Sequence, residues 1–135
     1  MPEGARQMSS YPPQDGPRQC TQHLNAGDLE AVVALYAPDA RFVARSGDTV
    51  VGRDRIRDVL AGLINAHTRL HIRVIKAVTV GEIALLYTDF QGTMVDTSGT
   101  PVEIRHKAIE VLRQQPDGTW QLIVGDPNGR AADGG

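Results

Sequence analysis

Disulfide pairs, a surplus of basic charge and long apolar runs are all missing from this chain of 135 residues. One cysteine, Cys20, can close no intramolecular disulfide and supports no cysteine-based metal motif. Sixteen acidic against fourteen basic residues leave a net charge of -2, which gives no footprint for nucleic acid. No apolar stretch approaches the ~20 residues of a membrane helix, and the N-terminus lacks the apolar run of a signal peptide, so a cytoplasmic protein without membrane contact is expected. Phosphate-cradling glycine motifs, the Gly-x-Ser-x-Gly elbow and His-Glu-x-x-His are absent, which removes the usual support for nucleotide, serine-hydrolase and zincin chemistry. His67 and His71 stand four apart, but their segment reads as extended and no third ligand follows, so neither metal nor organic cofactor is expected.

What remains is ordinary for one globular domain: 41% hydrophobic and 22% charged residues, on a chain long enough to bury a core without staples. Residues 1–16 are rich in Pro, Gly, Gln and Ser and read as a disordered tail, with the domain over 17–130 and a flexible end over 131–135. The stretch Asn25-Ala26-Gly27-Asp28 is the most informative in the chain. Gly27 can take the left-handed conformation that ends one helix, and Asp28 can cap the next. A helix is expected over Pro17–Leu24. A second carries Leu29, Val32, Val33 and Tyr36 on one stripe before Pro38 stops it. A third, opened by Gly52, buries Ile56, Val59, Leu60, Leu63 and Ile64 and turns Arg53 and Arg57 to water. Between the second and third, Ala40–Ala44 and Thr49–Val51 read as short strands around a Ser46-Gly47-Asp48 turn.

From Arg69 onward the pattern becomes extended. Arg69–Val80, Glu82–Val95, Thr100–Arg113 and Thr119–Gly125 read as strands, separated by Gly81, by Asp96-Thr97-Ser98-Gly99-Thr100-Pro101 and by Gln115-Pro116-Asp117-Gly118. Short connections make this an antiparallel meander, and strands of such length must bend, with Gly92 as the expected bend. The fold class is α+β: a cone-shaped, strongly curved antiparallel sheet packed on three N-terminal helices, with a hollow between the layers.

The Asn25-Ala26-Gly27-Asp28 corner, the exit Leu35-Tyr36-Ala37-Pro38-Asp39-Ala40, the opening Gly52-Arg53-Asp54-Arg55-Ile56, and Ile109-Glu110-Val111-Leu112-Arg113 before Asp117-Gly118-Thr119-Trp120 resemble the nuclear transport factor 2-like superfamily. Within it the likeness is to the ketosteroid-isomerase-like, or SnoaL-like, proteins. The resemblance covers about Arg18 to Arg130 and implies the cystatin-like cone; it does not imply one activity. Laid on this chain, the steroid-isomerase tyrosine, base and acid positions fall on Cys20, Ala44 and Lys107, so the catalytic set of those enzymes is missing.

By the same likeness the strand face with Leu85 and Tyr87 looks into the hollow. Asp89 then stands beside the cavity as a general base, with Tyr87 or Lys107 stabilising negative charge. Each has a plainer reading: Asp89 paired with Lys107 or Arg105 across the sheet, Tyr87 as packing, Lys107 as a surface cation. Cys20, Tyr36, Leu85, Ile109, Ile123 and Asp126 are the expected contacts for a small apolar molecule. Two functions follow. The first is a ligand-binding or weakly enzymatic cone that works by complementarity on a small apolar or polyketide-like molecule, with acid–base isomerisation, cyclisation or hydration as its chemistry if it catalyses; the second is a non-catalytic dimeric interaction module with a plugged cone. A homodimer through the outer face of the sheet is expected in either case.

Overall fold

Gly27, at φ +74°, and Asp28, whose carboxylate accepts from Ala31 N at 3.2 Å, turn the chain between the first two helices as the sequence requires. In a computed structural model, which describes residues 12–130, these are α1 (Asp15–Asn25) and α2 (Leu29–Ala34). The N-terminal expectation for residues 1–11 and the C-terminal one for 131–135 lie outside the described residues. Asp15 and Gly16, expected in the tail, instead begin α1, because Pro17 in a first helical turn sacrifices no needed N–H. Helix α2 ends at Ala34, before Pro38 can end it. Leu122 N donates to Leu35 O at 2.9 Å, and this sheet bond draws Tyr36 out of its helical stripe into β1 (Tyr36–Val43). Pro38 has no N–H for the ladder, and the pairing of β1 is irregular between Tyr36 and Arg41.

Then follow β2 (Thr49–Val51), α3 (Arg53–Asn65), β3 (Arg69–Val80), β4 (Ile83–Val95), β5 (Pro101–Gln114) and β6 (Trp120–Asp126). The sheet order is β2-β1-β6-β5-β4-β3, antiparallel except between β1 and β6, which run parallel. That single parallel pair closes the meander onto the N-terminal half and brings Phe42 opposite Gly125. Arg53, expected in water, bends back so that its Nε donates to Tyr36 O at 3.1 Å, tying α3 to the start of β1. Asn25 holds the other end of the helical layer: its Nδ2 donates to Leu70 O and its Oδ1 accepts from Leu70 N, each at 2.8 Å.

Side-chain alternation sets the two faces. Ala84, Leu86 and Thr88 of β4 are buried together with Leu112 and Leu122 and with Tyr36 of β1, while Val32, Ile56 and Leu60 belong to the helical layer of the same core. Trp120 is buried in the same core. At Gly92 the neighbouring strand passes so close that a Cβ would lie 1.9 Å from Arg69 O, which explains why no side chain stands there, while the irregularity in β3–β4 pairing falls between Val74 and Lys76.

Candidate active site

The core stops short of filling the cone. A cavity of about 480 Å³ lies between α1, α3 and the inner face of the sheet. Its walls are apolar: Pro17, Cys20 and Leu24 from α1, Val59, Leu60 and Leu63 from α3, and Phe90, Met94, Val102, Ile104 and Ala108 from the sheet. Its polar groups fall into two sets. Tyr36, Cys20 and Glu110 stand together at the buried end, and Arg45, Arg105, His106, Asp126 and Asn128 border it where β1 and β6 end and near the start of β5.

Glu110 is the group that sequence reasoning missed. It is 6% exposed on the inner face of β5, and Thr88 Oγ1 donates to its Oε1 at 2.9 Å. Thr88 is its one hydrogen-bond partner among the described residues, and no cation faces it. Burial pushes its carboxyl up to about 7 against a modest downward pull from the Thr88 hydrogen bond, so it exchanges a proton near neutrality. Beside it, burial and the Glu110 charge push the Cys20 thiol up to about 12, although the Tyr36 hydroxyl donates to it. Burial raises Tyr36 well above the usual phenol value as well. Thiol and phenol therefore stay protonated while the carboxyl titrates.

The expected catalytic trio is not in the cavity. Asp89, Tyr87 and Lys107 lie on the outer face of the sheet, with Leu85 and Ile109, because the alternate set on these strands, Ala84, Leu86, Thr88, Ala108, Glu110 and Leu112, is the one buried. Asp89 meets cations there: Arg130 Nη2 at 2.5 Å, Arg73 Nη2 at 3.5 Å and Lys107 Nζ at 3.8 Å. The Arg130 hydrogen bond, seconded by Lys107 and Arg73, holds its carboxyl below the usual carboxylate range. That is the opposite of a base awakened by burial. The plainer pairing of Asp89 with Lys107 is the one formed. Tyr87 carries Arg130 at 5.5 Å and Lys76 at 5.8 Å from its ring centre, so its face is already occupied. Of the expected ligand contacts, Cys20, Tyr36 and Asp126 line the cavity; Leu85 and Ile109 do not, and Ile123 packs against the core at the β5–β6 irregularity instead.

Alternation separates two sets of residues but does not say which set looks inward. On β4 both sets are apolar, Leu85 and Tyr87 against Ala84, Leu86 and Phe90. Charge held the missing signal: Lys107, Arg113, Asp89 and Gln91 share one face, whereas Glu110 and His106 are the ionisable groups of the other. A face with that many polar residues is the wet one. Among the described residues no cluster of three or more His, Cys, Asp or Glu side chains is placed to hold a metal, and no helix is long and apolar enough to cross a membrane.

A family model for the SnoaL-like domain matches residues 18–123. No curated protein matches the sequence. Among solved structures, a ketosteroid isomerase-like protein from Erwinia carotovora superposes with a TM-score of 0.75 at 18% identity, over 84% of this chain and 90% of that one. A protein with a cystatin-like fold from Caulobacter vibrioides gives 0.74 at 18% identity, over 89% and 88%. One of the NTF2-like family from Streptomyces avermitilis gives 0.71 at 17% identity, over 87% and 92%. At such identities the likeness establishes the cone and leaves its chemistry to the residues within it.

Proposed function

The chain belongs to the SnoaL-like domain family, and we propose that it binds a small apolar molecule in its cone and moves a proton on it with Glu110. The observation that carries this is a carboxyl buried among apolar walls with one hydroxyl partner and no facing cation, a setting that pushes it up to about 7. A general acid–base residue works best when its pKa lies near the working pH. As a carboxylate, Glu110 takes a proton from carbon beside a ligand carbonyl, and the electron pair moves onto the carbonyl oxygen. Returning that proton to another carbon completes an isomerisation, and returning it after ring closure completes a cyclisation, with no cofactor entering either balance. The Cys20 thiol, still protonated beside Glu110, is a weak donor available to the charged oxygen. The apolar walls keep water from competing for the proton.

Native mass spectrometry of the protein purified from cell extract identifies the molecule it retains. With that ligand, Glu110→Gln should keep binding and lose turnover by roughly 10²- to 10⁴-fold. Full turnover in Glu110→Gln removes the residue from the mechanism.

The reading includes a homodimer. The β3–β4 hairpin leaves Val78, Val80 and Ile83 exposed at 42%, 75% and 40%. A two-fold axis lets such a patch cover its own copy. Light scattering after size exclusion should give twice the chain mass for the wild type and one chain mass for Val80→Asp. A monomeric wild type at micromolar concentration overturns the dimer.

A further inference from the structure

The two ends of the cavity differ in charge. The buried end holds the Glu110 carboxyl with no cation facing it, and the exposed basic side chains that line the cavity, Arg45 and Arg105, stand at its border with the Glu103 and Asp126 carboxylates. Arg105 is engaged by Glu103 at 3.6 Å. Arg45, in the turn after β1, forms no ion pair or hydrogen bond among the described residues. Asn128, exposed and lining the same cavity, has its Oδ1 3.0 Å from His106 Nδ1, which commits the Asn128 carbonyl to the histidine and leaves its Nδ2 donors with no acceptor among the described residues. Asp126 is turned to its own loop, where its Oδ1 accepts from Asn128 N at 3.3 Å. One guanidinium and one amide N–H₂ therefore border the opening without acceptors, above a hollow whose far end repels anions once Glu110 ionises.

We propose that the ligand is an apolar monocarboxylate that enters tail first, its carboxylate held at the opening by Arg45 and Asn128 and its apolar body in the cone. This rests on the ligand-binding reading of the cavity and adds the ligand's charge and direction to it. A guanidinium and an amide N–H₂ are the donors a carboxylate accepts from, and Glu110 bars the reverse orientation by like charge. The group that Glu110 works on is then at the end of the molecule remote from its carboxylate.

Isothermal titration calorimetry with octanoate and with 1-octanol, equal in chain and different in charge, separates the two readings. In the wild type both should bind. Arg45→Gln should weaken octanoate about fivefold and Arg45→Glu more than tenfold, both leaving 1-octanol unchanged. Arg113→Gln, which removes a cation from the outer face, should change neither ligand. Octanoate binding that survives Arg45→Glu overturns the carboxylate inference and leaves the cavity reading standing. A wild type that binds neither probe overturns both.

Discussion

Asp89 and Glu110 sit on neighbouring strands, three register positions apart, and lead opposite lives. Asp89 faces out and is held charged by Arg130, Lys107 and Arg73; Glu110 faces in, meets one hydroxyl, and keeps its proton to about pH 7. The side chains are nearly the same chemically. What differs is which side of a single sheet each leaves the backbone on, and so whether water and cations can reach it. A carboxylate with three cations is an anchor, fit to fix the C-terminal Arg130 over β4 and β5. A carboxylic acid with no cation is a proton reservoir.

Stability against pH is the sharpest way to break this contrast. In the unfolded chain Glu110 ionises near its ordinary 4.5, and in the fold at about 7. Below the lower value both states carry the proton and the buried acid costs nothing in charge. Between the two the unfolded state loses the proton and the folded state keeps it, so stability falls as pH rises, by on the order of 3 kcal/mol, and levels off above the upper value. Urea unfolding at pH 5 and pH 8 should show that loss, and Glu110→Gln should abolish most of it. A wild type equally stable at both values would mean that water reaches the carboxyl.

The smaller effect has the opposite sign. The pKa of Asp89 is lowered in the fold, so its contribution is present above the ordinary carboxylate range and is lost as pH falls through the lowered value. Its partners are in contact with water, so Asp89→Asn should cost under about 1 kcal/mol at pH 7 in the same urea experiment. It should also leave turnover of the retained ligand intact, whereas Glu110→Gln removes it. Lost turnover in Asp89→Asn would return the outer face to the mechanism.

Much of the architecture is legible in the residues themselves. Gly27 and Asp28 fix a corner by local backbone and capping chemistry, β3 spans the expected Arg69–Val80, and Gly92 stands where a strand lies in the place of its side chain. The errors are those that need distant partners. Tyr36 fits a helical stripe until Leu122 pairs with it, and Arg53 reads as a solvent residue until the Tyr36 carbonyl comes within its reach. The expected trio Asp89, Tyr87 and Lys107 falls on the outer face for the same reason, whereas Cys20, Tyr36 and Asp126 do line the cavity: a strand with two apolar faces carries no local mark of which face the helices will cover.

The sequence by itself determined the elements, their order and the curvature of the sheet, because caps, turns and side-chain period act over a few residues. Only the tertiary structure decided which carboxylate would be dry. Desolvation depends on what is packed above a side chain, and the cover over Glu110 comes from α1 and β1, some seventy or more positions earlier in the chain.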